Sequence, residues 1–359
     1  MALVGRNIGL QVLLALTMAL LACNHTPPTS ITPVGPKWVS FNKSNSGLLN
    51  NHVNAILTDA EGIIWIATDS GASSFSNGFW NCFVDSLSYP MYETNGNPHL
   101  VSIVTSIALS PDRSLWFGLA GGGVSRYKRQ AVTIVWKRFT TANGLPSDDV
   151  LSITADQKLG EIWCATFAGV GRFIPTTNEG GVWRRYDTSN SFLPSNHVEC
   201  VAYNLIDFSI WFGTQNAGVT FINAFKVWQQ PINDYGQLNY PVVAIAFDVS
   251  TTWFATWDGI FSFAPATYVW RQYVSDNTHG IVPSGIVDAV TTDYLTTRWF
   301  GTNAGLVRLS DTSWTKINRQ STPELPSDTV TALARDFLGN LWIGTVNGVA
   351  VYNESGTRF

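Results

Sequence analysis

The sequence predicts an all-β protein, a seven-bladed β-propeller with four-stranded antiparallel blades, and three observations predict it. A Trp-bearing apolar pentapeptide recurs seven times, at 64–68, 115–119, 162–166, 210–214, 252–256, 298–302 and 341–345. The shared Trp residues (65, 116, 163, 211, 253, 299 and 342) are spaced by 51, 47, 48, 42, 46 and 43 residues. A second Trp follows in six units, at 80, 136, 183, 228, 270 and 314. Between these runs lie Gly, Asn and Asp turns, and no unit carries a helical period. A period of about 46 residues with four short strands suits a propeller blade and not a strand–helix solenoid.

Each unit repeats its parts in one order. A turn such as GLPSDDV (144–150), FLPSNHV (192–198) or ELPSDTV (324–330) opens it. A short apolar first strand comes next, then a tight turn with Asp and often Gly, as at Asp59 to Gly62 and Asp336 to Gly339. Asp bonds turn backbone and Gly supplies positive φ, so these aspartates read as structural. The Trp pentapeptide is the second strand, a Gly turn leads to the third, and the second Trp opens the fourth. Runs such as LWIG and LVRL are apolar with little alternation, so both faces of each sheet need burial, which stacking of units provides.

The seventh unit ends at Val349 to Tyr352 plus NESGTRF and lacks a fourth strand. Ahead of the first unit stands Trp38-Val-Ser-Phe41, a match to the fourth-strand motif. The N-terminal strand 38–41 is therefore expected to complete blade 7 and close the ring, which removes two free sheet edges.

Residues 1–22 read as a signal peptide, with Arg6 as the positive region and an apolar run from Ile8 to Ala22 too short for a comfortable membrane span. Leu20-Leu21-Ala22-Cys23 resembles the bacterial lipobox, which implies a lipidated Cys23 as the new N-terminus. Residues 23–37 hold that Cys and a Pro-rich spacer, and 38–359 form the propeller. Asn24 leans the anchor toward the outer membrane. The chain of 359 residues is 45% hydrophobic and 13% charged, which excludes disorder and coiled coil. Its net charge of −4 gives no footprint for nucleic acid.

The units resemble the two-component regulator propeller repeat, whose pattern is roughly a Leu-Pro-Ser-Asn turn, an Asp-x-x-Gly turn and a Leu-Trp-Ile-Gly-Thr strand. Units three, four, six and seven match best, whereas units two and five have Ser102-Ile103 and Tyr240-Pro241 at the Leu-Pro-Ser position. The resemblance implies an extracytoplasmic sensor propeller, some relatives binding carbohydrate. The sequence shows no kinase or output module, so it implies a free-standing binding or sensing lipoprotein.

In a propeller, the turn entering the first strand and the Gly turn lie on one face, the usual ligand side. The residues just before the first strands are His52, Ile103, Asp149, His197, Pro241, Ile286 and Thr329. The Gly turns give Asp69, Gly121, Phe167, Asn216, Trp257 with Asp258, Asn303 and Asn347. Trp257 is the one Trp outside the repeat; beside Asp258 it suits stacking on a sugar while the carboxylate bonds hydroxyls. His52 and His197 occupy equivalent places three blades apart, with Asp149 between. Zinc ligands must lie about 2.0–2.2 Å from the ion, which opposite walls rarely allow. The Leu-Pro-Ser serines (147, 195, 327) recur by blade and read as turn formers. No nucleophile elbow, phosphate loop or zincin motif is present.

The reading is a non-catalytic, monomeric, lipid-anchored module with no metal or cofactor, binding a carbohydrate or protein on the loop face through Trp257, Asp258, His52, Asp149, His197, Tyr240, Asn216 and Asn303. Two alternatives stay open: a propeller lyase or hydrolase acting on a polysaccharide, for which His52, Asp149, His197 and Tyr240 are the available groups, and a scaffold in an outer-membrane assembly. Cys164 and Cys200 fall on adjoining blades, so either a bridge or two buried thiols is allowed.

Overall fold

Seven four-stranded antiparallel sheets make up a computed structural model that describes residues 37–83, 103–130, 133–176, 180–231, 240–293, 296–356 and 359. The signal peptide, Cys23, the spacer ahead of Lys37, His25 and His99 lie outside the described residues. Six sheets are simple meanders in sequence order. The seventh is completed by the N-terminal strand Lys37–Phe41. It pairs with the strand Gly348–Asn353 in the register Trp38↔Tyr352, Val39↔Val351, Ser40↔Ala350 and Phe41↔Val349. The closure expected from the fourth-strand motif is thus observed.

The first strands are neighbours around the ring and run Val53–Thr58, Val104–Leu109, Val150–Ala155, Val198–Tyr203, Val242–Phe247, Val287–Thr292 and Val330–Arg335. Each opens on a fully buried Val. The pentapeptides are the second strands, as the repeat predicts. Their Trp and the next residue take opposite sides of the sheet, as strand pleating requires. The Trp of one blade joins a core cluster with the following residue's equivalent on the next blade: Trp65 with Phe117, Trp163 with Phe212, Trp211 with Phe254 and Trp253 with Phe300. The apolar core therefore lies between blades, which is why both faces of every sheet are apolar.

This packing also decides the cysteines. Cys164 holds the position after Trp163 and packs into the cluster between blades 2 and 3. Cys200 packs into the cluster between blades 4 and 5. They face away from each other across the sheets, both are free thiols, and burial pushes both up. The bridge that adjacency allowed does not form.

The Asp turns are structural, for a reason beyond turn chemistry. Asp59 Oδ1 accepts the N–H groups of Glu61 and Ile63, while Oδ2 accepts the indole N–H of Trp65 at 2.8 Å. Asp248 and Asp336 anchor Trp253 and Trp342 in the same way. A buried indole N–H needs an acceptor, and the turn carboxylate supplies one.

Candidate loop-face site

The Thr that ends most pentapeptides builds the loop face. Thr256 Oγ1 donates to Gly259 O at 2.9 Å and accepts the N–H of Asp258 at 3.1 Å. Thr68, Thr166, Thr302 and Thr345 make the same pair of bonds in their own blades. The turn backbone is then tied to the residue before the first strand: Trp257 N to Pro241 O, Gln215 N to His197 O, Asn303 N to Ile286 O and Val346 N to Thr329 O. These bonds put the two sets of turns on one face. The Leu-Pro-Ser serines act as turn acceptors, with Ser147 taking the N–H of Asp149, Ser195 that of His197 and Ser327 that of Thr329.

Blade 5 presents an aromatic platform on this fixed frame. Trp257 is 48% exposed, and Tyr240 is 43% exposed. The negative charge of Asp258, which also accepts a hydrogen bond from the Tyr240 hydroxyl, pushes the phenol up from its ordinary value. Gln272 Nε2 donates to Asp258 Oδ2 at 3.2 Å and to its carbonyl at 3.3 Å. The carboxylate next to Trp257 in the chain thus links Tyr240 and Gln272. Asn216 and Asn303 are exposed at the Gly turns of blades 4 and 6.

Each of the two histidines lies beside a carboxylate of its own blade. His52 Nδ1 lies 2.7 Å from Asp69 Oδ2, and Asn54 Nδ2 donates to Asp69 Oδ1 at 2.9 Å. His197 Nε2 lies 3.1 Å from Glu199 Oε1, off the line of a good hydrogen bond, and Phe167 packs edge-on against its ring at 4.6 Å. Asp149, half-buried, joins neither pair among the described contacts. Among the described residues no group of three or more His, Cys, Asp or Glu is arranged to hold a metal ion.

The face contains two carboxylates that the sequence reading passed over. Every first strand bulges at its second residue, so Asn54, Thr105, Leu151, Glu199, Val243, Asp288 and Thr331 are each left without a ladder partner. Asn54, Thr105 and Thr331 use the freedom to donate to the carbonyl of the first-strand Val in the next blade. Glu199 and Asp288 are acceptors and cannot do this when ionised. Burial pushes both up, partly opposed at Glu199 by His197. The available signal was position, one residue after the first-strand Val; the bulge itself breaks the alternation from which a facing direction is read.

A closed ring of seven blades, with cores between them and a turn face set by Thr and Ser bonds, defines a seven-bladed repeat propeller in architecture. The sequence profile of the two component regulator propeller family matches residues 47–70 and 324–347, in blades 1 and 7. Blades 1 and 7 thus each carry a segment that matches that family's repeat. Of the four units expected to match best, only unit seven falls in a matched segment, whereas blade 1 is matched although its turn reads Leu-Leu-Asn-Asn. No curated protein matches by sequence.

Among solved structures the chain is similar to the extracellular domain of the hybrid two component system BT3049 from B. thetaiotaomicron, at 22% identity and TM-score 0.70 over 89% of this chain and 41% of that one. The corresponding domain of BT4673 from the same organism gives 18% identity and TM-score 0.66 over 88% and 39%. The chain thus spans about two fifths of these sensor ectodomains. It is also similar to virginiamycin B lyase from Staphylococcus aureus, at 15% identity and TM-score 0.63 over 89% of this chain and 99% of the lyase. At these identities the shared property is the fold.

Proposed function

We propose that the protein is an extracytoplasmic, non-catalytic sensing module whose loop face binds a carbohydrate. The observation that carries this is Trp257: among the described residues it is the one exposed Trp, in a turn whose backbone is hydrogen-bonded on both sides. A rigid exposed indole suits stacking on the apolar face of a sugar ring, and the Tyr240–Asp258–Gln272 set beside it offers both donors and acceptors for hydroxyls. The likeness to sensor ectodomains supports the same reading. A lipid on Cys23 would tether the chain by the end that leaves Lys37. That strand starts opposite Asn353, on the face away from the Gly turns, so the loop face would point away from the bilayer.

The test is thermal unfolding of the full chain against a panel of neutral glycans, with Trp257→Ala alongside. A bound glycan at one hundred times its dissociation constant adds about 2.7 kcal/mol to stability. The expected result is a shift with at least one glycan that Trp257→Ala loses while keeping the unliganded melting temperature. A panel without a shift, or a shift that survives Trp257→Ala, overturns the platform. Turnover of a shifting glycan that is lost in His197→Ala would instead favour the lyase reading, for which the fold shared with virginiamycin B lyase is the specific motive.

A further inference from the structure

Three third strands carry an Arg in register with the second-strand Trp: Arg126 with Trp116, Arg172 with Trp163 and Arg308 with Trp299. Each guanidinium lies over its Trp ring, at 5.3, 5.1 and 5.2 Å from the centroid. The repeat therefore supplies its own comparison for what such a guanidinium holds. In blade 3, Arg172 Nε donates to Glu161 Oε2 at 3.0 Å and Nη2 donates to Oε1, a side-on carboxylate pair. In blade 2, Arg126 Nε donates to Ser114 Oγ at 3.0 Å and Nη2 to Asp112 Oδ2 at 2.7 Å. Glu161 and Ser114 each stand two residues before their Trp.

Blade 6 departs from this. Thr297 stands two residues before Trp299, and the buried Nε of Arg308 has no hydrogen-bond partner. Glu354 is 2.6 Å from Nη1, on the other side of the guanidinium, and so leaves Nε without an acceptor. Arg308 and Thr297 line a cleft of about 260 Å³ between blades 6 and 7, on the face opposite the Gly turns, where Arg335 is a second positive group. Arg335 pairs only loosely with Asp293, at 3.8 Å. With Asp293 and Glu354 set against Arg308 and Arg335, the cleft is balanced in charge, yet its acidic groups do not bond to that Nε.

We propose that this cleft binds a small carboxylate, held side-on by Nε and Nη2 of Arg308 as Glu161 is held by Arg172. Fork-to-fork pairing is the geometry in which Arg selects a planar carboxylate over a neutral group. The volume admits a molecule of about the size of a single sugar acid. This site lies on the opposite face from the Trp257 platform and does not depend on it.

The test is calorimetric titration of the full chain with glucuronate, with glucose as the neutral counterpart. Glucuronate is expected to bind and glucose not to bind at the same concentration. Thr297→Glu places a carboxylate where Glu161 stands in blade 3; it is expected to weaken glucuronate binding by about tenfold or more while holding or raising the melting temperature. Arg308→Gln is expected to lose binding as well, and Trp257→Ala to leave it unchanged. No heat with glucuronate, equal binding of glucose, or undiminished binding in a folded Thr297→Glu variant each overturns the proposal, and loss of the signal in Trp257→Ala assigns it to the other face.

Discussion

A single aspartate shows how much one side chain does in this protein. Asp248 Oδ2 accepts from the Trp253 indole and from Nε and Nη2 of Arg298, which belongs to the next blade, and its Oδ1 takes the N–H groups of Ser250 and Thr251. Burial alone would push its carboxyl up, but the bonds from Trp253, Ser250 and Arg298 outweigh that and hold it below the ordinary range. A depressed folded pKa means stability that is present above the unfolded value and lost as pH falls through the folded one. Asp248→Asn is expected to cost about 3–5 kcal/mol at neutral pH, since it strips one partner from a buried ion pair, and the gap to wild type should narrow in strong acid. Glu199 and Asp288 carry the opposite sign. Their folded values are raised, so their ionised forms cost stability above those values, and the cost disappears as pH falls. Glu199→Gln and Asp288→Asn should therefore stabilise at neutral pH and give no gain below the ordinary carboxylate range. Urea unfolding of the three variants across pH checks all three signs. Trp257 was legible at this scale because it breaks a period. Glu199 and Asp288 were not, because a bulge breaks the alternation from which a facing direction is read. Arg308 was half-legible: Arg recurs in GVSRY, GVGRF and GLVRL, and Thr297 stands where blade 3 has Glu161, but only the structure shows that the Arg308 Nε is left without a partner.

At the scale of the strand and turn, position after position in the repeat has one physical duty. The Thr of the second strand caps the Gly turn, and the Gly that follows lets the turn approach the fourth strand. At Gly348 φ is +126°, and an added Cβ would lie 2.4 Å from the carbonyl oxygen of Phe41 on the closing strand. Gly348→Ala is expected to cost about 1–3 kcal/mol from backbone strain alone, and more if the closing strand is displaced. Denaturant unfolding monitored by Trp fluorescence reads this directly. Strand identity was legible because these duties leave fixed letters at fixed spacing. Which way a Cys points was not legible from adjacency of blades; it follows from strand parity, since Cys164 replaces the residue after the Trp and shares its side.

For the whole molecule, stability is distributed over contacts between neighbouring blades, so the ring is only as sound as its clasp. Phe41 is buried against Phe75, Trp80 and Trp342, bringing together blades 1 and 7. Phe41→Ala is expected to cost about 3–5 kcal/mol, in line with large-to-small changes in cores. The expected companion is self-association seen by light scattering, because a loosened closing strand exposes the edge of Gly348–Asn353. A variant that stays monomeric and as stable as wild type would contradict this role. Closure was legible at the outset because an orphan fourth-strand motif at one end matched a missing strand at the other.

The same clasp governs how the ring carries a mechanical load. The closing strand lies antiparallel to Gly348–Asn353, with Lys37 at the edge of the face opposite the Gly turns. A pull on the residues ahead of Lys37, directed out of that face, runs along the strand axis. It strains the ladder bonds from Lys37 to Phe41 together in shear and does not peel them one at a time. Failure under such a load would begin at blade 7, leaving the other six blades with their own chain-sequential sheets intact.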